Sequence, residues 1–88
     1  MQVQNFEHVN QFVITDSGNI FFQSYNSLIA KIDKKGKVTL FKDWDYSHTT
    51  MRHLYSFLRE YSNIDTKYLY KRGIEKLIKS KAVKYINK

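Results

Sequence analysis

Alternating apolar and polar positions dominate the first half of the chain and predict short β-strands. The alternation is clearest at Phe12 and Ile14, as expected for a strand with one buried face. Two turn tripeptides, DSG and KKG, end at Gly18 and Gly36, where glycine allows a positive φ. The strand-like segments are residues 6–14, 19–25, 27–33 and 37–42. Together they predict a β-meander.

From residue 49 onward the apolar period lengthens from two to about 3.6 residues, which predicts two amphipathic helices. The first should run from about Thr49 to Tyr61 and the second from about Tyr68 to Ser80. Gly73, inside the second helix, should weaken it by about 1 kcal/mol relative to alanine. The positions expected to face the core are Met51, Leu54, Tyr55, Leu58 and Tyr61 in the first helix, and Tyr70, Ile74, Leu77 and Ile78 in the second.

The final residues, AVKYIN, alternate again and allow a fifth strand. The predicted fold class is therefore α+β: a small antiparallel sheet of four or five strands covered by two helices. A single domain should span residues 1–88, β-rich over 1–44 and helical and basic over 45–88. A chain this short has a thin core, and its seven tyrosines, six phenylalanines and one tryptophan supply large side chains to fill it.

Composition excludes several classes of protein. The chain has no cysteine, so disulfides and cysteine-based zinc sites are excluded. The first residues, MQVQNFEHVNQF, have neither the basic start nor the apolar run of a signal peptide, and no apolar run is long enough to span a membrane. These features predict a cytoplasmic protein that does not enter the membrane.

The positive charge of the chain is concentrated at its C-terminal end. The net charge is +7, and the segment from Lys67 to Lys88 holds eight basic residues against Glu75 alone. In the second helix, Arg72, Lys76 and Lys79 should form a stripe opposite the apolar face. A surface that only needed solubility usually mixes both signs of charge. The asymmetry therefore favours a partner with negative charge.

The stretch WDYSHTT joins the last strand of the meander to the first helix. Ser47 lies where a helix N-cap is expected, Asp45 adds negative charge near the positive end of the helix dipole, and Trp44 and Tyr46 should close one end of the core. A second interpretation is an anion site at the helix N-terminus, where free N–H groups and hydroxyls meet a phosphate-like group. Its residues would be Ser47, His48, Thr49 and Thr50.

An enzyme is not predicted. Asp45, Ser47 and His48 sit nearly adjacent on a turn, where side chains diverge, and no glycine-rich elbow surrounds the serine. The three histidines lack the i, i+4 spacing of a helical metal site, and His53 should be solvated on the flank of its helix. We therefore expect no catalytic residues, no metal and no cofactor.

Three segments carry a resemblance to a known group of proteins: FQSYNSLIAKID (22–33), KVTLFKDWDYSHTT (37–50) and HLYSFL (53–58). In these the chain resembles a family of small uncharacterised proteins from bacteriophages and mobile elements of Gram-positive bacteria that share a WDYS-x-TT motif. The resemblance covers roughly residues 20–80, while the basic tail departs from the family pattern. It implies a phage setting, a host bacterial cytoplasm and an α+β fold, and it implies no activity.

The expected function is that of a non-enzymatic phage-type protein that binds nucleic acid or a nucleoprotein complex, for example a host-defence inhibitor of the anti-CRISPR kind. Tyr68, Tyr70 and Tyr85 interleave with the basic residues and could stack on bases, although the core is the expected place for Tyr70 and Tyr85. The alternatives are an assembly protein that forms homodimers through an aromatic sheet face and, last, an enzyme acting on phosphorylated substrates. The residues expected to contact nucleic acid or an acidic partner are Arg52, Arg59, Lys67, Lys71, Arg72, Lys76, Lys79, Lys81 and Lys84.

Overall fold

Six strands and two helices make up the fold in a computed structural model that describes residues 1–6 and 8–87. Glu7 and Lys88 lie outside the described residues, and with Lys88 the last residue of the predicted basic tail. Short 3₁₀ turns at Lys42–Asp45 and Thr66–Tyr68 precede the two helices. The elements are β1 (Gln2–Phe6), β2 (His8–Asp16), β3 (Asn19–Ser24), β4 (Ser27–Ile32), β5 (Val38–Phe41), α1 (His48–Tyr61), α2 (Lys71–Lys79) and β6 (Lys84–Ile86).

The strands form one sheet in the order β1-β2-β3-β4-β5-β6. Each of the first five pairs antiparallel with its neighbour, whereas β6 pairs parallel to β5. A parallel pair needs a long crossover, and here the connection carries both helices. The α+β class and the helix-covered sheet are thus confirmed.

The number of strands is higher than predicted. β1 was missed because it is short, exposed at every position but Phe6 and polar at Gln2, Gln4 and Asn5, so only residues from Phe6 onward looked like a strand. The strand predicted over residues 6–14 contains Phe6, the last residue of β1, and most of β2.

The core lies between one face of the sheet and the two helices. Val13, Phe22, Ala30 and Leu40 are successive cross-strand partners on this face, and all are buried. The ring of Phe57 from α1 stacks on Phe22 with centroids 5.4 Å apart. Such ring contacts add about 0.5–1.5 kcal/mol beyond the area they bury.

Several side chains differ from the sequence-based expectation. His53 was expected to be solvated but is only 8% exposed, because it lies on the sheet side of α1. Tyr46, Tyr70 and Tyr85 were expected in the core but are 77%, 48% and 40% exposed. α2 begins at Lys71 rather than Tyr68, because Thr66–Tyr68 forms a 3₁₀ turn and Tyr70 is extended. Tyr46 and Tyr70 lie outside the two helices, where the helix period does not apply, and Tyr85 lies on β6 at the edge of the sheet.

The second face of the sheet carries its own rows of side chains, which we call the open face. Its four rows of cross-strand partners are Asp16-Asn19, Val3-Ile14-Phe21-Lys31-Thr39-Lys84, Asn5-Phe12-Gln23-Leu28 and Phe41-Ile86. Among the described residues, none of the apolar members of these rows packs against the core cluster. Phe12, Phe21 and Phe41 are partly exposed there.

Candidate nucleic-acid interface

The junction between β5 and α1 is held by a chain of hydroxyl groups. The Ser47 hydroxyl accepts a hydrogen bond from the Thr50 N–H at 3.1 Å and donates one to Thr50 Oγ1 at 3.2 Å. Thr50 Oγ1 in turn lies 3.1 Å from Ser24 Oγ on β3. The predicted N-cap role of Ser47 is therefore confirmed, and the cap also ties the helix to the sheet.

Three of the four residues predicted to form an anion site line the same groove. Ser47, Thr49 and Thr50 line a groove of about 480 Å³ together with Ser24 and Tyr25. His48 lines a different groove, and Thr50 is only 1% exposed. Because the hydroxyls of Ser47 and Thr50 bond to each other and toward Ser24, they offer little to a ligand.

The nine predicted contact cations are all exposed. Over residues 1–6 and 8–87, an ion pair within 4.0 Å is found only between the terminal amino group of Met1 and Asp16. The cations of the two helices thus have no carboxylate at salt-bridge distance in this part of the chain. Their charge is available to a partner.

The structure brings some of these cations together. Arg52 of α1 and Lys71 at the start of α2 line one groove of about 500 Å³, shared with His48 and Tyr55. Arg52 also lines a second groove with Arg59, so these two cations lie along one side of α1. Arg72, Lys76 and Lys79 follow the helical repeat on the exposed side of α2. The cations on α1 therefore continue toward the start of α2.

Three further cations, Lys67, Lys81 and Lys84, do not line the grooves that contain Arg52, Arg59 and Lys71. Lys81 and Lys84 share a groove with Lys37 from the turn before β5. Sequence reasoning did not include Lys37, although the lysine-rich turn KKGK was a visible signal. Lys67 stands alone, with its ammonium 5.3 Å from the centre of the Tyr68 ring.

Two acidic residues, Asp45 and Glu75, lie beside Lys79 of α2. Partial burial raises the pKa of Tyr55, and the negative charges of Asp45 and Glu75 add to that rise. Asp45 and Glu75 also line a groove with Lys79 and Tyr85. A polyanion would therefore be repelled from this spot and directed along the cationic residues beside it.

The hydroxyl of Ser47 in WDYSHTT is engaged within its own turn. The Ser47 hydroxyl donates to Thr50 and not to a histidine. Within the described residues there is no group of three or more His, Cys, Asp or Glu side chains placed to hold a metal ion. The helices of the described chain are also too short or too polar to cross a membrane.

Comparison with curated proteins and with solved structures finds no significant match to the chain. A family model matches residues 2–76, which include β1 to β5, α1 and most of α2. β6 lies beyond the matched segment. On this match, the chain belongs to the family of unknown function DUF8033.

Proposed function

We propose that this protein is a non-enzymatic binding protein that contacts nucleic acid, or the nucleic acid of a nucleoprotein complex, through the cations of its two helices. The observation that carries the proposal is the exposure of the six predicted cations on these helices without a carboxylate partner among the described residues: Arg52, Arg59, Lys71, Arg72, Lys76 and Lys79. Lysine and arginine side chains in this state neutralise phosphates and release counterions, which drives association.

The mechanism would be occlusion. Arg72, Lys76 and Lys79 span two turns of α2, and Arg52 and Lys71 continue the charge across to α1. A phosphate backbone lying along this strip would be covered without any chemical change. Such a role suits a phage protein that blocks a host-defence machine, the setting that the WDYS-x-TT resemblance implies.

Binding of a short DNA duplex, followed by fluorescence anisotropy over a range of sodium chloride concentrations, tests the proposal. The logarithm of the affinity should fall linearly with the logarithm of salt, with a slope near −0.9 per phosphate contacted. Replacing Arg72, Lys76 and Lys79 together by glutamine should lower the affinity and reduce that slope by about 2–3.

A matched control removes the same charge elsewhere: Lys34, Lys35 and Lys42, which are exposed and lie outside both helices, are changed to glutamine. This variant should keep most of the affinity. Equal losses in the two variants would mean that net charge alone attracts DNA, and an affinity insensitive to salt would refute the proposal.

The open face supports a second candidate function, assembly through self-association. Val3 and Leu28 on this face are 51% and 38% exposed, and three phenylalanines accompany them. Exposed apolar area of this kind often marks an interface. Light scattering that shows a salt-independent dimer without affinity for DNA would favour this function over nucleic-acid binding.

A further inference from the structure

We propose that the open face binds single-stranded nucleic acid, with bases stacked on Phe12, Phe21 and Phe41 and phosphates held by Lys31 and Lys84. This inference rests on the proposed function, because it names the form of nucleic acid and a second surface that contacts it. The surface is separate from the helices, which pack against the opposite face of the sheet.

The aromatic side chains are spaced for stacking. Phe21 is the cross-strand partner of Ile14, and Phe12 lies two residues before Ile14 on the same strand. Phe12 and Phe21 are therefore diagonal neighbours, about 7–8 Å apart at their Cα atoms. Phe41 lies two strands beyond Phe21, across β4. All three rings are partly exposed, so each can present a surface to a base.

Cations lie in the same row as the central ring. Lys31 is the cross-strand partner of Phe21, and its ammonium lies 5.9 Å from the centre of that ring. Lys84 is at the end of the row, beyond Thr39. The four described rows of the open face contain these two lysines and one carboxylate, Asp16 on β2, which lies 4.0 Å from the terminal amino group of Met1. Lys31 and Lys84 have no carboxylate within salt-bridge distance among the described residues. An exposed ring with cations in the same row can contact both the bases and the phosphates of a single strand.

Charge also decides between a polyanion and a second copy of the chain. A two-fold dimer through this face would place the same patch on both sides of the interface. The interface would then hold four of these lysines, two from each molecule, and their repulsion would add to that between two chains that each carry a net charge of +7. A polyanion removes that repulsion, so the lysines favour nucleic acid as the occupant.

The stacking geometry favours single strands over duplexes. In a duplex the base faces are already stacked on one another, and a broad sheet cannot reach them. Unpaired bases can spread over the rings, and any base can stack because each has a π-face. The open face should therefore bind with little preference for sequence.

The experiment compares an oligothymidylate with a duplex of equal length, using wild-type protein and the double variant Phe12→Leu/Phe21→Leu. Leucine keeps the apolar bulk of each site but removes the ring. The double variant should bind the oligothymidylate about tenfold or more weakly, because stacking on each ring contributes substantially to affinity. Its affinity for the duplex should equal that of the wild type.

Two further variants sharpen the test. Tyr46→Leu removes a 77% exposed ring that is not on the open face, and it should leave both affinities unchanged. Lys31→Gln should reduce the salt slope for the single strand by about 0.7, which also tests the face if the double variant does not fold.

The possible failures are distinguishable. If the wild type binds neither ligand, the proposed function fails together with this inference. If the wild type binds the duplex but the double variant retains full affinity for the oligothymidylate, this inference alone fails. Equal losses for both ligands, or a wild-type dimer that the double variant dissociates, would also overturn it.

Discussion

Gly73 leaves no room for a side chain in α2. A Cβ atom at this position would lie 2.3 Å from the carbonyl oxygen of Tyr68 and 2.7 Å from its carbonyl carbon. The sequence-based estimate treated this glycine as a weak point that alanine would improve. The structure reverses that expectation, because the 3₁₀ turn packs its backbone directly on the helix.

Gly73→Ala should therefore lower the free energy of unfolding by about 1–3 kcal/mol, the usual cost of forcing atoms into a packed site. Urea unfolding measures the change. Lys76→Ala, an exposed site on the same helix, is the control and should shift the value by about 0.5 kcal/mol or less. A more stable Gly73→Ala variant would show that the 3₁₀ turn can move away.

Asp33 stabilises the turn between β4 and β5 as a carboxylate. Its Oδ1 accepts hydrogen bonds from the backbone N–H groups of Lys37 and Lys35, both at 2.9 Å. The bond from Lys37 is the main reason that the pKa of Asp33 lies below its usual value of 3.8. Since the folded pKa is the lower one, the stabilisation is complete above pH 3.8 and is lost as the pH falls through the folded value.

Carbon-13 NMR titration of the side-chain carboxyl should show Asp33 titrating below 3.8, and Lys35→Ala, which keeps both N–H donors, should leave the pKa low. Asp33→Asn should flatten the acid limb of the stability curve. Titration at or above the usual value would contradict this role of the turn.

At the scale of secondary-structure elements, the start of α1 depends on the hydroxyl chain that joins it to β3. Ser47→Ala removes the N-cap and should cost about 1 kcal/mol in the free energy of unfolding. Thr50→Val should cost about 1–3 kcal/mol, because it leaves the buried Ser24 hydroxyl without its partner.

Thr49→Val provides the matched control for these variants. Thr49 is an exposed threonine in the same helical turn, so its replacement should change stability by about 0.5 kcal/mol or less. Chemical denaturation of the three variants gives the comparison. If Thr50→Val were as mild as Thr49→Val, the link from helix to sheet would have no energetic importance.

At the scale of the whole molecule, uncompensated charge should oppose folding. The chain carries a net charge of +7, and its described part holds a single ion pair, between the amino terminus and Asp16. Screening weakens repulsion among exposed cations. We therefore expect the thermal midpoint to rise as sodium chloride is added from low to physiological ionic strength.

Differential scanning calorimetry at several salt concentrations tests this expectation. The variant in which Arg72, Lys76 and Lys79 are glutamines should respond less, because part of the repulsion has been removed. A midpoint that falls with salt would mean that attractive charge pairs outweigh the repulsion.

Sequence predicted the parts of this fold that depend on local pattern. The meander turns at Gly18 and Gly36, the amphipathic faces of the helices and the Ser47 cap all follow from periods and residue types within a few positions. What failed depends on distant neighbours. Neither the burial of His53 nor the close contact between Gly73 and Tyr68 has a local signal.

The same division holds for the candidate interface. For the six predicted cations on the two helices, exposure followed from the helix period, whereas Lys67, Lys81 and Lys84 lie outside the helices. The grouping of Lys37 with Lys81 and Lys84, and the shared row of Phe21, Lys31 and Lys84, depend on strand register. Register across a parallel pair cannot be read from the sequence, because the partners are far apart along the chain.

The position of β6 has a consequence for synthesis on the ribosome. Strands β2 to β5 each pair with the strand made just before, so the sheet can grow as the chain emerges. β6 is made last, and until it docks, the outer backbone groups of β5 have no strand to pair with. A nascent chain that stalls before residue 84 would leave the edge of β5 unpaired and able to pair with another chain. Docking of β6 covers that edge.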